Sequence, residues 1–283
     1  MAELPEHLKG HLTDSAGQPW QGRSFTDNRW SNDDGTAPAA LARALAQFHA
    51  GTAPVSGVVE ALRDTRLLIP LVAELGEAGV NDAGVTVDKH ADLSIVTVRA
   101  PDGRGIVPMF TSVETMRTWN PEARPVPVGS RQAALAVVDE GSELIILDPG
   151  SETETAIRRP GVWAIARDTP YELPWQDERV LAAASAVLDR VPQLLGVDVL
   201  PGDPTSRLAG PELVLLLHVP HDLDEQGAAA VAAQAQAVVQ EQPALVEAVD
   251  TLAISLQRAE PQPIPSEDAA APKAGWFRRR RRK

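Results

Sequence analysis

The 283-residue chain contains no cysteine. That excludes disulfides, thiolate nucleophiles, iron–sulfur clusters and Cys-ligated zinc, and with them persulfide-carrying sulfur transfer. Aromatics are scarce, at 4% of residues with a single tyrosine, and lysines number 4 against 22 arginines. No apolar run approaches the roughly 20 residues that a membrane-spanning helix needs. The first residues, Met1-Ala2-Glu3-Leu4-Pro5-Glu6-His7, lack the basic and apolar regions of a secretory signal, so a cytoplasmic protein is expected. Neither glycine-rich nucleotide motif occurs, nor the G-x-S-x-G elbow of serine hydrolases, nor an internal repeat, and no cofactor is expected.

What the chain has in excess is segregated charge. Its net charge is -13, yet the last six residues carry +6, so the preceding 277 sum to -19. The acidic body repels nucleic acid and anionic lipid, whereas the tail Trp276-Phe277-Arg278-Arg279-Arg280-Arg281-Arg282-Lys283 attracts both. Near an anionic leaflet each basic residue contributes about 1 kcal/mol, so the tail's upper bound is roughly 6 kcal/mol, a dissociation constant of roughly tens of micromolar. Trp276 and Phe277 add interfacial anchoring, or stack on an unpaired RNA base. Folding back onto the chain's own acidic surface is the competing use of these charges.

The chain divides into a polar lead-in (1–36), a first domain (37–168), a second domain (178–258), and a linker with the cationic tail (259–283). In the first, Leu41, Ala44, Leu45 and Phe48 recur at helical spacing after Pro38, with Gly51 as the stop, and Val58, Val59 and Leu62 continue a second helix. Leu67 to Val72 and Ser94 to Val98 read as strands. Asp102-Gly103 marks a hairpin into Ile106 to Phe110, and these three strands are expected in one sheet. Ser112 caps a short helix that ends near Trp119, and Ser130 caps another that Gly141 closes. Leu144 to Leu147 and Ile157 to Ile165 read as two more strands. The Pro-rich stretch 168–177 lacks periodicity and marks the boundary. Beyond it a helix through Val180, Ala184, Val187 and Leu188, strands at 197–200, 213–219 and 251–256, and an alanine-rich helix near 224–239 make an αββαβ module. The prolines between 260 and 275 read as a disordered linker. The fold class is α+β, a mixed-sheet domain followed by a small αββαβ domain.

Leu67-Leu68-Ile69-Pro70-Leu71-Val72-Ala73-Glu74, Ala100-Pro101-Asp102-Gly103-Arg104, Pro108-Met109-Phe110-Thr111-Ser112, Trp119-Asn120-Pro121 and Leu147-Asp148-Pro149 together resemble the SseB family in its actinobacterial form. The resemblance spans roughly residues 17 to 258. The family takes its name from a serine-sensitivity phenotype, and the resemblance implies a fold rather than a reaction.

For ligand binding the candidates are Asp102, Arg104, Thr111, Ser112 and Arg158. Arg104 and Arg158 are fixed cations, and the two hydroxyls stand at a strand-to-helix junction. The bland alternative makes Asp102-Gly103 a hairpin, Ser112 a helix cap and the arginines surface ion pairs. Arg124, Arg158, Arg159 and Trp163 together suggest a basic, aromatic-edged groove. Asp33-Asp34-Gly35 lacks the ligand pattern of a calcium loop and reads as capping for the helix from Thr36. His7 with His11, and His218 with His221 and Asp222, lack a matching third ligand, so no metal is expected. Glu74 with Asp88 or Asp92 is not singled out as an acid–base pair, and Ser112 has no histidine assigned to it. The expectation is a non-catalytic cytoplasmic binding or regulatory protein, peripheral to the inner face of the membrane where the tail docks. In it the folded domains offer a surface to a protein partner or small ligand; its rivals are a peripheral membrane- or RNA/ribosome-associated adaptor and an enzyme of unrecognised type.

Overall fold

The computed structural model describes residues 30, 32–73, 79–80, 86–87, 93–95, 98–99, 103–139, 141–259 and 277–278. Most of the lead-in, the linker, Asp102, Trp276 and 279–283 lie outside the described residues, as do His7, His11, Glu74, Asp88 and Asp92. Contacts divide the chain into Met1–Asp34 and Gly35–Lys283. In the first unit the Asp33 N–H donates to the Trp30 carbonyl at 3.0 Å.

The second unit opens with α1 (Ala39–His49) and α2 (Val55–Arg63). Leu41, Leu45 and Phe48 of α1 and Val58, Val59 and Leu62 of α2 are buried, as helical spacing of apolar residues requires. Pro38 precedes α1 without any side-chain cap, because proline brings the helical φ but no acceptor. The expected aspartate capping is therefore corrected.

Strand β1 (Arg66–Ala73) pairs antiparallel with β4 (Leu93–Ile95) on one side and β7 (Arg124–Gly129) on the other. Between β1 and β4, β2 (Gly79–Val80) and β3 (Thr86–Val87) form a separate antiparallel pair. β5 (Val98–Arg99) and β6 (Gly105–Met109) form the expected hairpin, with Gly103 at φ +87°. β6 then runs parallel to β8 (Ile145–Leu147), which pairs with β9 (Thr155–Ile157). The three strands expected in one sheet thus divide between two ladders, joined by an antiparallel bridge from Leu68 to Phe110.

Two helices connect these strands, α3 (Val113–Trp119) and α4 (Ser130–Asp139). α5 (Arg159–Arg167) follows β9 and corrects the strand expected over 157–165. Pro160 stands in its first turn, and Gly161, Val162, Ala164, Ile165 and Ala166 are buried. Proline at a helix start suits the backbone, and a short apolar run does not distinguish buried helix from strand by period alone. α1, α2, α4 and α5 share one apolar cluster with β1, β6 and β8.

A second cluster surrounds α6 (Glu178–Arg190), capped by the Asp177 side chain, with α7 (Glu225–Gln240) and α8 (Pro243–Ala248). These helices cover one face of β10 (Gly196–Pro201), β11 (Leu213–Val219) and β12 (Leu252–Arg258). β11 alternates buried and half-buried residues along its length, the pattern of a sheet covered on one side. β11 pairs antiparallel with β10 and parallel with β12 across the α7–α8 crossover. β13 (Phe277–Arg278) adds a fourth strand at the β10 edge. Two tail residues, Phe277 and Arg278, therefore pair with Val197 and Gly196 of the chain's own sheet.

Candidate functional site

The most heavily charged buried place lies where the two apolar clusters meet. Arg158, between β9 and α5, is 7% exposed. Its guanidinium donates to Asp203 at 2.7 Å, Asp250 at 3.2 Å, the Thr251 hydroxyl at 3.1 Å and the Gly210 carbonyl at 2.7 Å. Arg104 reaches the same Asp250 from the β5–β6 hairpin, donating at 2.7 and 3.0 Å. Two of the candidate cations therefore meet on one carboxylate.

Glu212 and Tyr171 complete the cluster. The Tyr171 hydroxyl donates to Glu212 at 3.1 Å, and the Asp250 N–H donates to the other carboxylate oxygen at 2.5 Å. Burial pushes the Glu212 carboxyl up to about 7, with the nearby Asp250 charge acting in the same direction. The Asp250 N–H, Arg158 and Tyr171 oppose the rise without cancelling it. Tyr171 is raised well above its ordinary value, first by burial and then by the Glu212 charge. It therefore stays a donor.

Asp203 belongs to the loop between β10 and β11, which folds around its carboxylate. The Arg207 and Leu208 N–H groups and the Thr205 hydroxyl donate to it, at 3.2, 2.8 and 3.3 Å. Ser206 and Leu208 hold φ of +50° and +57°, conformations that cost non-glycine residues energy unless the surroundings enforce them. At the neck of the loop, a Cβ on Gly202 would stand 2.3 Å from the Pro211 carbonyl oxygen. Glycine is required there for close approach. The loop then docks on the first half, where the Ser206 carbonyl accepts from Ala156 N–H at 2.6 Å and Leu208 packs on Ile106 and Leu144. Beneath it lies a cavity of about 20 Å³ lined by Val55, Val59, Tyr171, Trp175, Ser206 and Glu212, among others.

Thr111 and Ser112 are placed elsewhere. Asp148, 1% exposed and at φ +46°, accepts from the Thr111 N–H at 2.8 Å and the Thr111 hydroxyl at 2.7 Å. The Thr115 hydroxyl adds a third bond at 2.8 Å and Thr153 a longer one at 3.3 Å. Ser112 caps α3 through the Thr115 N–H at 3.1 Å, as expected. These hydroxyls hold a buried carboxylate, and the Pro108–Ser112 and Leu147–Pro149 segments are thereby clamped together.

Of the residues expected in a basic groove Arg159 and Trp163 come together, but the groove they line sets four carboxylates, Glu143, Glu172, Asp177 and Glu247, against three arginines and is not basic. Arg159 and Trp163 line an open groove of about 590 Å³ with Arg167, Tyr171, Arg179, Glu172 and Glu247. Arg167 lies 4.4 Å over the Trp163 ring, a cation–π contact. Arg158 turns inward instead, and Arg124 sits at the β7 position opposite Leu71. Arg159 donates to the Val246 and Val249 carbonyls at the end of α8, and Arg179 is bound by Asp177. Among the described residues no cluster of His, Asp or Glu is arranged to hold a metal ion, and His218 pairs with Asp198 at 2.8 Å. No described helix is long and apolar enough to cross a membrane.

Sequence reasoning missed Asp203, Glu212, Asp250 and Tyr171. A signal was present for two of them. Glu212 stands immediately before the apolar run of β11, and Asp250-Thr251 immediately before β12. The parallel register pairs Leu213 with Leu252, which sets those polar strand starts side by side.

No curated protein matches the chain. Residues 41–164 match the family model described as the SseB protein N-terminal domain. That segment contains Arg104, Thr111, Ser112, Asp148 and Arg158 and ends within α5, so the chain carries an SseB N-terminal domain over those residues.

Proposed function

We propose that this chain is a non-catalytic cytoplasmic binding or regulatory protein of the SseB family, whose basic tail docks weakly on anionic surfaces. The observation that supports the non-catalytic part is the saturation of the candidate groups by internal partners. Arg158 serves four acceptors and Arg104 is bidentate on Asp250. Thr111 and Ser112 are committed to Asp148 and a helix cap. The cavity beneath the β10–β11 loop has room for about one water, too little for an organic substrate.

The charge contrast between an acidic body and a +6 tail supports docking, and favours as a second reading an adaptor on a membrane or RNA. The test is co-sedimentation of the full chain, and of a version ending at Gly275, with anionic vesicles and separately with total RNA, at low and physiological salt. Tail-dependent sedimentation at low salt that weakens as salt rises is the expected result. Equal behaviour of both chains with both partners overturns the docking role.

A further inference from the structure

The cavity beneath the β10–β11 loop carries a charge imbalance. Arg104 and Arg158 supply two cations, and Asp203, Asp250 and Glu212 supply three carboxylates. Asp203 is saturated by Arg158, Thr205 and two backbone N–H groups, and Asp250 is shared by both arginines. Glu212 has neither arginine. It is 4% exposed, and of about four acceptor positions on a carboxylate two are used, by Tyr171 and the Asp250 N–H.

The cavity that Glu212 lines measures about 20 Å³, the room one water occupies. An ammonium group is of similar size, donates several N–H bonds, and brings the one positive charge that balances the cluster. Tyr171 and Trp175 also line the space, as does Arg158, whose charge is taken up by Asp203 and Asp250; aromatic rings attract cations. A water can fill the volume but leaves an ionised Glu212 unmatched, and below about pH 7 a proton on Glu212 balances the cluster in the cation's place. We propose that this cavity is a binding site for an ammonium-type cation, with Glu212 as its counter-ion and the β10–β11 loop as its lid. The lid is held by the Asp203–Arg158 ion pair, by the Ser206–Ala156 hydrogen bond and by Leu208. Its strained Ser206 and Leu208 store a preference for release.

The cation can come from two sources, a free ammonium ion or the terminal group of a primary amine. Thermal unfolding of the full chain is measured near pH 8, where Glu212 is ionised, in ammonium, methylammonium, sodium, potassium and tetramethylammonium chlorides at matched ionic strength. Ammonium is expected to raise Tm by about 2–4 °C over sodium, and Glu212→Gln to erase the difference. Gln keeps the side-chain shape and an acceptor for the Asp250 N–H. Stabilisation by methylammonium as well identifies the amine head group as a ligand, whereas ammonium acting alone identifies the ion. A second readout covers a variant that fails to fold. In the natural chain, ammonium makes the loss of stability between pH 4.5 and 7 smaller and ends it at a lower pH, because it favours the ionised carboxyl. Equal Tm in ammonium and sodium, equal stabilisation by potassium, a difference that survives Glu212→Gln, or an unmoved pH dependence overturns the proposal.

Discussion

Replacing Arg158 by methionine tests what holds the two apolar clusters together. Methionine fills much of the arginine's length and keeps its apolar stem, so the loss is mainly electrostatic. Removing one partner of a buried ion pair costs about 3–5 kcal/mol, because the other charge stays buried and uncompensated. Arg158 faces two such partners, Asp203 and Asp250, whose side chains are 1% and 0% exposed. Both keep other donors, since the β10–β11 loop still wraps Asp203 and Arg104 still holds Asp250. The expected loss is therefore at the lower end, about 3 kcal/mol. Arg104→Met is the internal control. Its side chain is 33% exposed and Asp250 retains Arg158, so about 1 kcal/mol is expected. Equilibrium urea unfolding followed by tryptophan fluorescence measures both, with the urea dependence reporting whether the halves still unfold together. An Arg158→Met loss below about 1 kcal/mol, or equal losses for the two variants, refutes the argument from burial.

Glu212 sets a pH dependence of definite sign. Its folded-state value of about 7 lies above its ordinary 4.5, so the native state holds a proton that the unfolded chain has released between those values. The stability this gives is full below about pH 4.5 and is lost as pH rises through 7. Between pH 6 and pH 8 the loss is roughly 1 kcal/mol, and Glu212→Gln flattens it; urea unfolding across that range checks both, and a slope retained in the variant rejects the assignment. Asp148→Ala orphans the buried Thr111 N–H and places alanine at φ +46°, which is expected to cost about 3 kcal/mol. A thermal midpoint unchanged from the natural chain would show that Asp148 does not clamp the two segments.

Helices with a one-sided apolar stripe were legible in the sequence. α1, α2 and α6 lie within a residue or two of where Leu41, Leu62 and Val187 set their period, and the hairpin over Asp102-Gly103 is where turn chemistry puts it. Two features escaped for physical reasons. Within the run 157–165 only Arg159, Pro160 and Trp163 are half-buried and the rest is buried, and an apolar stretch that short does not separate a buried helix from a strand. Arg158 was read as a surface ion pair or a ligand contact because its acceptors lie far along the chain. Asp203 and Asp250 are 45 and 92 residues away, and no local pattern announces a partner at that distance.

The same distances separate what identifies the family from what organises the molecule. The motifs Pro108–Ser112 and Leu147–Pro149 close on each other through Asp148, so they serve the architecture of the first half. The matched segment ends at residue 164, and Asp203, Glu212 and Asp250, which receive Arg104, Arg158 and Tyr171, all lie beyond it. A chain carrying the first half alone would leave Arg158 buried or newly exposed without either carboxylate. The N-terminal domain and the three acids of the second half therefore work as one electrostatic unit. Whatever alters the charge of that unit, a proton on Glu212 or a cation beside it, acts on both halves at once.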